Sequence, residues 1–160
     1  EMVSACLEVT TTRDIARQLL RHRSFSFQEF SQRYADPTVD LDFKFKDARL
    51  QDTKNRQNSL DIDDPDLQFE WLQSQAEVVN AAKKSYEWAI ENGIAKEQAR
   101  AVLPEGIIES RLYVNGTIRS WIHYIDLRSG HGTQKEHIEL ARACATALEP
   151  IFPMIKEFCH

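Results

Sequence analysis

The first residues alternate. Val3, Ala5, Leu7 and Val9 hold the odd positions and Ser4, Cys6, Glu8 and Thr10 the even ones, so a period of two predicts a strand over residues 2–10 with one apolar face. Asp14, Ile15, Ala16, Leu19 and Leu20 then follow helical spacing, which predicts a short amphipathic helix with Thr12 as its N-cap and Arg17 and Arg21 on its polar face. Periodicity fades from Ser24 to about Pro65, apart from a short candidate strand over Leu41, Phe43 and Phe45. The segment reads as an ordered loop, and connections of that length often line a binding site or an assembly contact.

The longest pattern runs from about Asp66 to Asn92. Leu67, Trp71, Val78, Val79, Ala82, Tyr86, Ala89 and Ile90 form one apolar stripe, and Gly93 supplies a natural C-terminal stop. A shorter helix over residues 96–103 ends before Pro104, and a strand over residues 107–114 closes at an Asn115-Gly116 turn. Thr117 then caps a helix to about Leu127 that buries Ile118, Trp121, Ile122 and Ile125, with Arg119 and His123 together on another face. Thr133 and Glu136 have the spacing of a capping box for a last helix through Ala141, Ala145 and Leu148, interrupted by Pro150 and Pro153. The elements sum to a helix-rich α+β single domain over residues 1–160, with a small antiparallel sheet and long helices.

Composition narrows the function. Hydrophobic residues make up 42% and charged residues 28%, which excludes wholesale disorder, and no apolar run approaches the roughly 18 residues of a membrane span. The three cysteines, Cys6, Cys144 and Cys159, are odd in number and widely spaced, so neither a disulfide framework nor a zinc knuckle is suggested and a reducing cytoplasm fits best. All five glycines lie at or after Gly93, so no glycine-rich phosphate loop precedes that point. The net charge of −5 argues against a nucleic-acid surface and leaves small molecules as the expected ligands. Yet Arg13, Arg17, Arg21, Arg23 and Arg33 fall in the first 33 residues against four acids, a clustering suited to a small anion gripped by planar guanidinium forks.

The densest candidate site is Arg21-His22-Arg23, then the seven residues Ser24 to Phe30, then Ser31-Gln32-Arg33-Tyr34. Taken alone, the arginines also suit a helix C-terminus, where the dipole favours cations. The spacing, however, resembles the signature of the flavin-dependent thymidylate synthases. The likeness extends to Arg17-Gln18, Glu29, Ala99-Arg100 with Leu103-Pro104, Arg119-Ser120, and Leu127-Arg128 with Thr133-Gln134-Lys135-Glu136, covering essentially the whole chain.

The resemblance implies reductive methylation of dUMP to dTMP. Methylenetetrahydrofolate gives the carbon, reduced FAD gives the hydride, NADPH recharges the flavin, and a homotetramer shares its sites between subunits. A nucleotide-binding assembly protein of the same fold, without catalysis, is the alternative. Carried over by position, Gln18, Arg21, Glu29, Ser31, Gln32, Arg33, Arg100 and Arg128 hold dUMP, with Arg33 and Arg100 on its phosphate. Arg21, His22, Arg23, Glu29, Thr117, Arg119 and His123 meet the FAD. Arg128 polarises the uracil, which relieves the protein of needing an activated cysteine, and the three cysteines read as structural.

Other readings stand beside these. Arg128 alone suits a helix C-terminus, and His123 beside Tyr124 suits packing. Ser31 lacks a His and acid partner pattern and reads as a hydrogen-bonding residue, not a nucleophile. Gln28 stands where many relatives have asparagine, and the relatives' upstream flavin-binding segment is missing before Glu1. His131 and His137, six residues apart, lack the one-face spacing of helical metal ligands, so no metal is assigned.

Overall fold

The computed structural model describes residues 1–160. Its sheet is organised by a strand late in the chain. The N-terminal alternation forms β1 (Ser4–Thr12), and the motif-bearing segment after the first helix forms β2 (Ser26–Glu29). Both pair antiparallel with a nine-residue strand, Glu109–Thr117, whose partners run from Ser4↔Thr117 to Thr12↔Glu109 on one edge and from Ser26↔Asn115 to Glu29↔Leu112 on the other. Two short strands, β3 (Arg49–Gln51) and β4 (Ser59–Asp61), make a separate hairpin, so Glu109–Thr117 is β5 and the main sheet runs β1-β5-β2.

The helices are α1 (Arg13–Leu19), α2 (Pro37–Asp40), α3 (Pro65–Glu91), α4 (Lys96–Ala99, continued by a 3₁₀ turn Arg100–Val102), α5 (Ile118–Ser129) and α6 (Lys135–Leu148). A 3₁₀ turn, Pro153–Phe158, follows the prolines. This is the expected helix-rich α+β class with a small antiparallel sheet. Val9, Leu112 and Val114 of the sheet, Leu19 of α1, Trp121 and Ile125 of α5 and Leu148 of α6 meet in the main core. Fully burying such side chains contributes about 1.5–3 kcal/mol each. Tyr86 and Ala89 of α3 form a second cluster with Ala99, Leu103 and Ile108.

Several local expectations change. Asn115-Gly116 is not a turn: both residues lie inside β5, opposite Cys6 and Ala5. Gly116 is small for another reason, since a Cβ there would come within 2.3 Å of the Phe25 ring. Thr12 occupies the N-cap position of α1, but its hydroxyl donates to Asp14 Oδ1 at 2.5 Å and makes no cap to the backbone. The Thr133–Glu136 capping box is absent, because Gln134 takes the N-cap position without a side-chain bond and Glu136 is drawn to Arg49. The strand expected over residues 41–45 reduces to one bridge, Phe43↔Ile108.

The long connection is ordered by α3. Gln75 accepts from Lys46 N and donates to Lys46 O, both at 2.9 Å, and Gln68 does the same to Ala48 at 2.8 and 2.9 Å. Two side-chain amides one heptad apart thus replace a missing strand partner. At the helix ends, Asp64 accepts from Leu67 N at 3.0 Å, and Gly93, at φ +75°, lets Ile94 N reach Ala89 O at 2.9 Å. The expected stripe is only partly buried: Val79, Ala82, Tyr86 and Ala89 are covered, whereas Leu67, Trp71 and Val78 face outward.

The Gly116 notch yields a test. Gly116→Ala should destabilise the fold by about 1–3 kcal/mol, the usual penalty of overpacking. Thermal or urea unfolding measures it, and Phe25→Leu in the same chain should recover part of the loss.

Candidate active site

The Arg-His-Arg segment leaves α1 in a tight turn, with His22 N bonded to Leu19 O at 3.0 Å and Phe25 N to His22 O at 3.2 Å. Phe25 drives the turn into the core: its ring lies 4.6 Å from Trp121 and 5.9 Å from Tyr124, centroid to centroid. Arg21 and Arg23 are left exposed on either side of half-buried His22. Ser120 Oγ reaches Ser24 O at 3.4 Å, so the motif lies along α5. Arg119 and His123 are exposed on that helix, and Arg119 also pairs with Glu1 at 2.9 Å. Thr117 is occupied as the α5 cap, accepting from Ser120 N at 3.2 Å.

At the other end of α5, Arg128 Nε donates to His22 Nε2 at 3.0 Å. His22 must therefore carry its proton on Nδ1 and remain neutral. Burial first, then the Arg128 charge and His123, push its pKa down to about 4. Tyr124 supports the imidazole edge-on at 5.0 Å. Arg128 is thus more than a cation near a helix end, because one donor is committed to a fixed acceptor and its Nη groups remain for something else.

Behind this pair runs a buried polar chain. His137, fully buried, faces Tyr124 OH through Nε2 at 3.1 Å and Gln18 Oε1 through Nδ1 at 3.2 Å. Gln18 Nε2 donates to Gln134 Oε1 at 3.0 Å, and Gln134 Nε2 to Glu136 Oε2 at 2.8 Å. Arg49 closes the chain on Glu136. One pattern satisfies every member: the tyrosine donates to His137 Nε2, His137 Nδ1–H donates to Gln18, Gln18 donates to the Gln134 amide oxygen, and Gln134 donates to the Glu136 carboxylate. Burial raises the Tyr124 pKa and keeps the phenol protonated, while burial and the Arg128 charge push His137 down to about 4. Burial alone would raise Glu136, but its own backbone N–H, Gln134 and Arg49 outweigh this and lower it.

The N-terminal end of α1 opens on a cavity of ≈ 350 Å³ lined by Arg13, Arg17, Gln32, Arg100, Leu103 and Glu105 among others. Gln32 is only 5% exposed, and its buried Nε2 has no acceptor. Arg100 lines the cavity and donates from Nε to Glu97 O at 3.2 Å. Arg33 lies outside that lining, paired with the Glu97 carboxylate at 3.1 Å, so α4 gathers both arginines around one residue. Glu29 accepts from Arg13 at 3.2 Å and from Ser110 Oγ at 2.8 Å, and Ser31 Oγ accepts from Arg33 N at 3.4 Å in a local turn.

The expected residues therefore fall into two groups, one at each end of α1. Arg21, His22, Arg23, Arg119, His123 and Arg128 gather where the motif meets α5, with Gln18 linked to them through His137 and Tyr124. Glu29, Ser31, Gln32, Arg33 and Arg100 surround or border the cavity. Sequence reasoning missed His137, Tyr124, Arg13 and Glu105. No local spacing could have joined Tyr124 to His137, which sit on different helices, although Arg13 was visible in the arginine cluster. None of the cysteines joins this hydrogen-bonded chain: all three are free, and burial pushes the Cys144 thiol up to about 12, against a nucleophilic thiolate.

A buried amide donor without a partner in an arginine-lined cavity at one end of α1, and a guanidinium held by a neutral histidine at the other, give this α+β protein a donor set suited to an anionic ligand. Comparison with known proteins gives the particular family. A family model described as thymidylate synthase complementing protein matches residues 1–154. The chain is 50% identical over 155 residues to the flavin-dependent thymidylate synthase of Synechocystis sp., spanning 97% of this chain and 70% of that protein. It is 51% identical over 149 residues to a probable flavin-dependent thymidylate synthase of Paramecium bursaria Chlorella virus 1, spanning 93% and 68%. Among solved structures, the UMP/dUMP methylase PolB from Streptomyces cacaoi bound with 5-Br UMP superposes with a TM-score of 0.83 at 27% identity, over 97% of this chain and 73% of that one. The chain belongs to the flavin-dependent thymidylate synthase family, a family of methyltransferases.

The buried histidine contributes to the acid stability. His137 ionises near 6.5 when unfolded and near 4 when folded, so its full contribution is present above pH 6.5 and is lost as the pH falls toward 4, by on the order of 3 kcal/mol. Urea midpoints between pH 7 and 4.5 should decline steeply, and His137→Gln should remove part of that slope, leaving one of the same sign from His22, whose pKa is pushed down to about 4 as well.

Proposed function

We propose that this chain converts dUMP to dTMP by reductive methylation, with methylenetetrahydrofolate as carbon donor, reduced FAD as hydride donor and NADPH as the reductant of the flavin. The proposed assembly is a homotetramer with sites shared between subunits, working in the cytoplasm as one domain. The observation that carries this reading is Arg128, fixed through Nε by neutral His22 while its Nη donors stay available. A guanidinium so preorganised stabilises negative charge on a uracil carbonyl without rearranging when the charge appears.

The two ends of α1 suit the two ends of a nucleotide. They lie roughly 10 Å apart at 1.5 Å per residue, a span a mononucleotide bridges. At one end Arg100 and the unpartnered Gln32 amide offer donors to a phosphate, in a cavity that Arg17 also lines. At the other, Arg128 is assigned to the base, and the chain through His137 holds Gln18 in one amide orientation. Glu29, Ser31 and Arg33, between and beside these groups, are assigned to the nucleotide as well.

The residues along α5 fit a flavin dinucleotide. Arg21, Arg23, Arg119 and His123 are all exposed, on a motif and a helix joined by the Ser120–Ser24 bond, and together make a donor set suited to a diphosphate. His22, Glu29 and Thr117 complete the flavin assignment. When bound, the reduced flavin supplies the hydride. The chain's own part is to orient the uracil, stabilise its charge and hold the phosphate.

Arg128→Lys separates this reading from a helix-end role. If Arg128 acts on the uracil, lysine loses the planar donor pair, and oxidation of reduced flavin by dUMP and folate should slow by about 100-fold. Reduction of bound FAD by NADPH should continue at the parent rate. Parent-rate methyl transfer would sink the Arg128 assignment, and colourless protein that takes up dUMP but refuses added FAD would favour the non-catalytic nucleotide-binding reading. In calorimetry, Arg100→Ala should weaken dUMP binding by about 1.5–3 kcal/mol, the size of a charge-assisted hydrogen bond.

A further inference from the structure

Arg17 is not free to receive a ligand. Its Nε lies 2.9 and 3.0 Å from the two carboxylate oxygens of Glu105, and its Nη2 also bonds Oε1. Arg13 Nε stands 3.7 Å from the same oxygen. All three residues line the ≈ 350 Å³ cavity that also holds Arg100 and Gln32. The cavity thus contains three guanidinium groups and one carboxylate that already satisfies part of them.

Two features mark that carboxylate as a stand-in rather than a permanent wall. Its backbone is pinned, with Asp14 N on Glu105 O at 3.2 Å and Ile108 N on Pro104 O at 3.0 Å, but its side chain is half exposed and can swing to water. Gln32 Nε2, in the same lining and 95% covered, has no acceptor although Glu105 is present. Buried donors are almost always paired, so the cavity is built for an acceptor that Glu105 does not supply. A phosphomonoester has three terminal oxygens and two charges, enough for the arginine forks and the amide together.

We propose that Glu105 is an internal competitor for the phosphate of the nucleotide: it neutralises Arg17 in the free protein, shares Arg13 with Glu29, and is displaced by a doubly charged phosphomonoester. This rests on reading the cavity as the phosphate end of the nucleotide site. The carboxylate lowers the affinity of every anion by the fraction of protein in which it must first leave. That factor is the same for singly and doubly charged anions, so any preference for a dianion comes from the freed arginines, which gain more from two charges. Because Arg17 holds the Glu105 carboxyl below the usual carboxylate range, the competitor stays charged at neutral pH.

Calorimetric titration of the intact protein with dUMP, the singly charged methyl ester of dUMP and inorganic phosphate tests the idea. Glu105→Gln should tighten dUMP by about 2- to 5-fold, the range an exposed ion pair accounts for, and the methyl ester by a similar factor. Glu105→Ala should act in the same direction, and Arg17→Gln should abolish the effect of either change. Binding of dUMP that is unchanged or weaker in both Glu105 variants would overturn the proposal while leaving the nucleotide reading intact. Phosphate that tightens as expected, in a protein that binds no dUMP, would uphold the competitor and sink the nucleotide reading. Failure of all three ligands with parent and variants alike would remove both.

Discussion

The insertion of Phe25 over Gly116 is the contact on which the candidate site depends. A strand glycine with no side chain lets an aromatic ring lie against the middle strand of the sheet, where any Cβ would collide with it. The ring also packs on Trp121 and Tyr124 of α5, so one residue of the motif is nailed to sheet and helix together. Everything chemical on either side inherits that position. His22 is brought to Arg128, Ser24 to Ser120, and the strand that follows is delivered to the open edge of β5 with Glu29 beside Ser110.

The polar groups are arranged as two systems of different character. The chain from Tyr124 through His137 and Gln18 to Glu136 is buried and fully paired, and such networks are rigid because breaking one member leaves its neighbours unsatisfied in a low dielectric. It fixes the orientation of two amides and holds His137 neutral near the Arg128 cation. The system around Arg17, Arg33 and Arg100 is half exposed, with carboxylates and carbonyls as temporary partners and one buried amide left unpaired. Exposed ion pairs of this kind are individually weak, so they can be exchanged for a ligand at small cost. Rigid support at one end of α1 and exchangeable charge at the other is a sensible division for a site that must align one end of a molecule and capture the other.

Local pattern carried much of this by itself. The alternation through Val9 determined a strand and its apolar face, the Gly93 stop determined the C-terminal end of α3, and Thr117 announced α5, because each depends on neighbours within a few residues. The linear spacing of Arg-His-Arg, Ser31 and Arg128 was sufficient to suggest the family to which the chain belongs.

Only the tertiary structure decided what those residues touch. Asn115-Gly116 looks like a turn locally, but pairing on both edges of β5 keeps it extended and turns the glycine into a notch. Thr133 and Glu136 have the spacing of a capping box, yet Arg49 from the distant hairpin offers Glu136 a charged partner that a neutral backbone N–H does not match. Gln68 and Gln75 read as polar positions on a helix and become the backbone partners of a segment some twenty to thirty residues earlier. The buried chain through His137 and the Arg17–Glu105 pair join residues 13 to 119 positions apart, and contacts of that separation are set by packing, which no local period encodes.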